Sequence, residues 1–160
     1  MIRKMRPEDR ETFCAFADDF YHSGAALHAV PKANFDHTFD TVLSGSPHVI
    51  GLMLEDGGRA AGYSLLQPVY SNEMDGIVLW IDELYVRPEC RGRGLARELL
   101  RNVCSAYHGK VSALRLEVTH TNRRAVSLYR SEGFGDLGYA QMLKPLEQDD
   151  SAERQEGKKK

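Results

Sequence analysis

The stretch Arg91-Gly92-Arg93-Gly94-Leu95-Ala96 combines backbone freedom, positive charge and a following helix. Leu95, Leu99, Leu100 and Val103 recur at helical spacing, so an amphipathic helix opens at the second glycine. The first N–H groups of a helix have no partner within it, and the helix dipole adds partial positive charge at the same end. Gly92 and Gly94 let the backbone come close to an anion, and Arg91 and Arg93 add charge that a phosphate can use. The dense apolar run Ile77 to Val86 before the loop reads as a central strand. Strand, glycine turn and helix together make a cradle for phosphate. The loop is not a P-loop, because no Gly-Lys-Ser/Thr follows, and it is not the GxGxxG dinucleotide fingerprint. A tight turn with solvated arginines would use the same residues; the position between strand and helix favours the cradle.

The elements that must hold this loop alternate along the chain. Met1 to Arg6 suits a short first strand, and Pro7 suits the first position of a helix carrying Phe13, Phe16, Ala17 and Phe20. That helix should fail near Ser23-Gly24. Phe35, Phe39, Val42 and Leu43 mark a second helix, ending at Ser44 to Pro47. His48 to Leu54 and Ala60 to Tyr70 are strand-like and are joined through Asp56-Gly57-Gly58, a hairpin signal. Ser71 to Gly76 turns the chain into the apolar strand. After the long helix, Ala113 to Val118 is a strand and Asn122 to Glu132 a helix, closed by Gly133. Phe134 to Leu143 is expected to hold one or two final strands. Residues 1–146 are read as one α+β (mixed α/β) domain, and the polar stretch 147–160 as a disordered tail.

Composition narrows the function. The chain has 160 residues, 42% of them hydrophobic, enough for one core. A net charge of −2 gives no positive field to hold nucleic acid. Cys14, Cys90 and Cys104 are widely spaced and form no CxxC pair, so neither a disulfide framework nor a zinc site is indicated. His22, His28 and His37 match no strong ligand spacing, and no metal is expected. No signal-peptide core and no membrane-spanning run is visible. These features suit a cytoplasmic protein without a membrane partner.

Arg91-x-x-Gly94-x-Ala96 resembles the Gln/Arg-x-x-Gly-x-Gly/Ala motif of the GNAT superfamily of N-acetyltransferases. Trp80 to Glu89 resembles that family's fourth strand and its exit. Asn122-x-x-Ala125-x-x-Leu128-Tyr129-x-x-x-Gly133-Phe134 resembles its second cofactor motif. The resemblance covers roughly Met1 to Leu146. Ala96 stands where glycine is common, and its small size fits the pattern. Among the nearer-looking members are polyamine-type acetyltransferases.

The resemblance implies a mostly antiparallel mixed sheet of six or seven strands, about four flanking helices, and a fourth strand that bulges and splays from the fifth. It implies acetyl-CoA as acyl donor. Leu84, Tyr85 and Val86 would offer backbone groups to its pantetheine arm. Gly92, Arg93, Gly94, Leu95, Ala96 and Arg97, with Arg91, would hold its pyrophosphate. Asn122 would contact the pantetheine arm, although its residue type equally suits a helix N-cap. Tyr129 matches the family tyrosine that donates toward the cofactor sulfur, and a phenol can protonate a thiolate as it forms.

Transfer to an amine also needs a base, since a free alkyl ammonium has a pKa of about 10.4. Asp82 and Glu83 are the candidates. An acid beside Leu79-Trp80-Ile81 would be partly desolvated, which raises its pKa toward a useful value. Neighbouring strand residues point to opposite faces, so one of the two should face the slot unless a bulge changes the phase. Parity does not decide between them; the polyamine-type resemblance favours Asp82. None of the cysteines is placed for an acyl-enzyme, so direct attack in a ternary complex is expected.

The acceptor should lie against the first two helices and their connection, with Tyr21, His22 and His28 as candidate contacts and Leu27 to Pro31 as a lining loop. Asp18, Asp19, Asp36, Asp40, Glu73 and Asp75 could draw in a cationic amine. The expected acceptor is a small-molecule or peptide amine, a small cationic one among the candidates, and a homodimer is compatible with the reading. The alternatives are a non-catalytic acyl-CoA-binding sensor or partner module, or a peptide or protein N-acetyltransferase.

Overall fold

A computed structural model describes residues 1–24, 28 and 30–146. The tail 147–160 and parts of the 27–31 connection, including Leu27 and Ala29, lie outside the described residues.

The elements run β1 (Ile2–Lys4), a 3-10 turn (Pro7–Asp9), α1 (Arg10–His22), α2 (Lys32–Leu43), β2 (Ile50–Asp56), β3 (Arg59–Ser71) and β4 (Gly76–Val86). A second 3-10 turn (Pro88–Cys90), α3 (Leu95–Tyr107), β5 (Ala113–Leu116) and α4 (Arg123–Ser131) complete the order. The five strands form one sheet in sequence order. The first three neighbouring pairs are antiparallel, and β4 and β5 run parallel. No helix among the described residues is long and apolar enough to cross a membrane.

Among the described residues the expected six or seven strands are therefore five. Residues 134–146 contain no strand. Gly135, Asp136 and Gly138 break the run at one end and Pro145 at the other, which leaves too little extended chain for a ladder. Phe134 still packs at 5.9 Å, centroid to centroid, on Tyr129, while Leu137, Met142 and Leu143 are exposed.

Each sheet face buries one core. On one side Phe13, Phe16 and Ala17 of α1 and Phe35 and Phe39 of α2 meet Met53, Tyr63, Leu65 and Tyr85 of the sheet. On the other, Leu95, Leu99, Leu100 and Val103 of α3 meet Leu54, Leu66, Leu79 and Ile81. The i, i+4, i+8 spacing of Leu95, Leu99 and Val103 is what lets one helix present a continuous stripe. Leu99 is fully buried, so truncating it to alanine should cost about 2–5 kcal/mol.

Two irregularities in β4 shape the ground for a site. Leu65 pairs with Glu83 but Leu66 pairs with Ile81, so Asp82 is an extra residue on β4 with no partner across the ladder. Such a bulge reverses the alternation of the strand. Leu79 and Ile81 accordingly belong to the α3 core, while Tyr85, after the bulge, belongs to the α1/α2 core. The parallel ladder to β5 stops at Ile81–Leu116 although β4 continues to Val86. The two strands part there, which leaves the β5-facing backbone edge of residues 82–86 outside that ladder.

Candidate active site

The glycine loop takes the form its residues require. Gly92 and Gly94 have φ of 83° and 85°, in the left-handed region that a side chain disfavours. Gly94 is the N-cap of α3, and its carbonyl accepts from Glu98 N at 2.9 Å. A Cβ placed on Gly94 would meet nothing within 4 Å, so the outer face of the loop is open. Beside it lies a cleft of ≈ 760 Å³. Leu84, Tyr85 and Val86 of β4, Arg91, Gly92 and Gly94 of the loop, and Leu95, Ala96 and Arg97 of α3 line it; Asn122 closes the α4 side. The freed edge of β4, the N-terminus of α3 and the N-terminus of α4 thus open onto one space.

The arginines divide. The Arg93 guanidinium turns outward to Asp56 Oδ2 at 2.7 Å and to the Glu89 carbonyl, and its side chain does not line the cleft. Arg91 lines the cleft and donates to the Val86 carbonyl at 2.8 Å. Arg97 is held by Glu132 Oε1 at 2.7 Å and Ser131 Oγ at 3.0 Å. Sequence reasoning passed over Arg124, in the first turn of α4. It lines the cleft, and its Nη2 would lie 3.5 Å from a Cβ at Gly92. The available signal was a cation in the first turn of a helix whose neighbour, Asn122, was already assigned to the cofactor.

Asn122 caps α4, its side chain accepting from Ala125 N at 3.2 Å, and it also lines the cleft. The capping role and a place in the cleft coexist. Tyr129, two turns on, lines this cleft and also a second, open cavity of ≈ 1400 Å³. Phe20, Leu84, Thr119 and Asn122 are shared in the same way. The Tyr129 hydroxyl has no hydrogen-bond partner among the described residues, and burial pushes its pKa up, which keeps the phenol protonated.

The second cavity holds the acids. The bulge turns both Asp82 and Glu83 into it. Glu83 is buried and accepts Tyr63 Oη–H at 2.5 Å and Tyr21 Oη–H at 2.7 Å. Burial raises its pKa, and the two phenol donors pull against that by favouring the carboxylate. Both tyrosines are raised, first by burial and then by the adjacent Glu83. Asp82 accepts from Gln67 Nε2 at 2.8 Å. It is exposed by area and lines the cavity. Lost hydration, and then the charge of Glu117, push its pKa up.

Tyr21 reaches the cavity. His22 is exposed, rests on the Asp18 carbonyl and lies outside both cavities; His28 is likewise exposed and outside both. Of the acids expected to attract a cation, Glu73 lines the second cavity. Asp36 and Asp40 are paired with Arg10, Asp18 with Lys32, and Asp19 accepts the Tyr85 hydroxyl at 3.1 Å. Burial, then that contact, raises Tyr85 to about 12. Among the described residues no group of three or more His, Cys, Asp or Glu could hold a metal ion.

The arrangement offers an anion cradle and a freed strand edge on one side of Tyr129, and carboxylates of raised pKa on the other. Comparison with known proteins gives this a context. The sequence pattern of the acetyltransferase (GNAT) family matches residues 10–134. The thialysine N-epsilon-acetyltransferase of Sus scrofa is 34% identical over 86 residues, 53% of this chain and 50% of the relative. The uncharacterized N-acetyltransferase YhfO of Bacillus subtilis (strain 168) is 32% identical over 91 residues, 55% of this chain and 60% of the relative. The chain thus spans about half the length of the curated relatives it matches. Among solved structures, AAC(6′)-Iy in complex with a bisubstrate analogue superposes with a TM-score of 0.75 at 17% identity, covering 91% of this chain and 97% of the other. Ribosomal-protein-alanine N-acetyltransferase from Brucella melitensis biovar Abortus 2308 gives 0.73 at 15% identity, covering 90% and 97%. At these identities the structures speak for the fold.

Proposed function

The chain belongs to the acetyltransferase (GNAT) family, and from that premise we propose that it transfers an acetyl group from acetyl-CoA to a primary amine by direct attack. The observation that carries the reading is the meeting of the two cavities at Tyr129. A donor in one and an acceptor in the other would come together there.

The pyrophosphate would lie on the N–H groups at the start of α3, with Arg124, unpaired among the described residues, facing it. The pantetheine arm would follow the freed edge of Leu84 to Val86. An ammonium entering the second cavity would be held by the acids and give a proton to Asp82, the carboxylate on the bulge. The raised pKa of Asp82 makes it a better base than a solvated aspartate. Glu83, engaged by Tyr21 and Tyr63, is the second choice and serves better as a fixed charge beneath the amine. The neutral nitrogen attacks the thioester carbon, the C–N bond forms and the C–S bond breaks. Tyr129 protonates the departing sulfur, and the second proton of the nitrogen restores the phenol through water. A backbone N–H of the freed edge would steady the thioester oxygen.

Thiol release from acetyl-CoA over a panel of primary amines tests this. Amine-dependent release, with the acetylated amine found by mass spectrometry, is expected. Tight binding of acetyl-CoA without release across the panel would contradict it and leave a binding module.

A further inference from the structure

Arg91, Arg97 and Arg124 line the first cavity, and Arg115 and Arg130 the second. Three of them are satisfied by the protein: Arg91 by the Val86 carbonyl, Arg97 by Glu132 and Ser131, and Arg130 by Asp136. Arg124 and Arg115 have no hydrogen bond or ion pair among the described residues. Arg124 faces the anion loop and has an evident use. Arg115 is its counterpart across the junction.

Arg115 is held without being satisfied. It pairs in register with Trp80, and its guanidinium carbon lies 4.0 Å from the centroid of the Trp80 ring. Stacking on an aromatic face fixes the plane of the guanidinium and leaves its edge for hydrogen bonds. Its Nε is buried with no hydrogen-bond partner among the described residues. A buried donor left unmade is costly, so such a group invites an acceptor from outside the chain. The Nη atoms are not enclosed in that way and can donate into the cavity. Two residues on, past the end of β5, Glu117 lines the same cavity and adds its charge to that at Asp82. The wall therefore has an acidic end at the parting of β4 and β5 and a cationic end on the Trp80 stack. Two strand steps separate these ends by about 6.6 Å, a span that roughly five methylenes cover.

We infer that Arg115 determines specificity by binding a carboxylate at the far end of the acceptor, so that the preferred acceptors are ω-amino carboxylates. This rests on the acetyl-transfer reading above. The ammonium end lies among Asp82, Glu83 and Glu117, and the carboxylate end meets the guanidinium fork, which suits two oxygens at once.

A matched pair of acceptors tests it: 6-aminohexanoate and hexylamine, with acetyl-CoA, on the wild-type chain and on Arg115→Gln and Arg115→Lys. In the wild type, kcat/KM for 6-aminohexanoate should exceed that for hexylamine by about tenfold or more. Arg115→Gln should remove that advantage through KM while leaving hexylamine within about twofold, and Arg115→Lys should restore part of it. Equal kcat/KM for the two amines in the wild type would overturn the inference while leaving acetyl transfer standing. Equal losses on both amines in Arg115→Gln, with acetyl-CoA binding retained, would overturn it too and assign Arg115 a structural role. No turnover of either amine, or of any in the wider panel, would sink the transfer reading and this inference with it. If Arg115→Gln fails to fold, the wild-type comparison decides alone.

Discussion

The two cavities are built by different means. The first is shaped by backbone: two glycines in left-handed conformations, the N-terminus of α3 and a strand edge freed where a ladder stops, with the start of α4 opposite. The second is lined from α1, β3, the turn before β4, β4, β5, the stretch that follows β5, α4 and the stretch after α4. A backbone site constrains residue type at fixed spacing, because few residues tolerate φ near +85° or a helix start against an anion. A side-chain site constrains only what meets in space. Damage to the first cavity should therefore show in donor binding, and damage to the second in turnover and acceptor choice.

The largest effect should come where the cavities meet. Tyr129→Phe removes the phenol hydroxyl at the junction and should lower kcat by about a hundredfold with acetyl-CoA affinity held, since positioned acid catalysis is typically worth that much or more. Retained kcat would place the proton donor elsewhere. Asp82→Asn should cost a similar factor and flatten the acidic limb of the rate profile. The sign follows from the raised pKa: the base is protonated at low pH, so activity rises with pH through that pKa. A rate profile unchanged in Asp82→Asn would pass the role to Glu83.

An effect of intermediate size belongs to the first cavity alone. Arg124→Ala should weaken acetyl-CoA about tenfold by calorimetry, the worth of one charge-assisted phosphate contact, and should leave kcat at saturation nearly unchanged. A fall in kcat with unchanged affinity would break the division between the cavities.

The smallest effect is on stability. Glu83 titrates higher in the fold than in the unfolded chain, so its contribution is fully present below the unfolded pKa and is lost as pH rises through the folded one. Glu83→Gln should therefore melt closer to the wild type at acid pH and gain on it as pH rises through that window. A difference in Tm that does not vary with pH would mean that the two phenols fully offset the burial.

Legibility in the sequence divides along the same line. The loop at Arg91 to Ala96, its strand and its helix are legible because glycine, charge and apolar period all have to agree. The bulge at Asp82 is not, because it is fixed by register against Leu65 and Leu66 on another strand. Parity therefore leaves Asp82 and Glu83 undecided, and in the structure both line the second cavity, Glu83 buried and Asp82 exposed. Tyr63, which donates to Glu83 from 20 positions away, looks in the sequence like an ordinary strand aromatic. The same holds for Arg115, whose meaning depends on Trp80 lying beneath it. The apolar residues of 134–143 suggest final strands, but Gly135, Gly138 and Pro145 outweigh them. His22 and His28 are suggested by residue type and proximity along the chain, and neither carries information about where a side chain ends up.

The central claim is that the two cavities are halves of one site. A conjugate of CoA joined through an acetyl bridge to hexylamine would span both, and its affinity measured against that of CoA alone tests the claim most directly. If donor and acceptor spaces meet at Tyr129, the conjugate binds at least about tenfold tighter than CoA, because the second half binds at high effective concentration. A conjugate that binds no tighter than CoA would show that the amine does not reach the second cavity from the first, and would contradict the account.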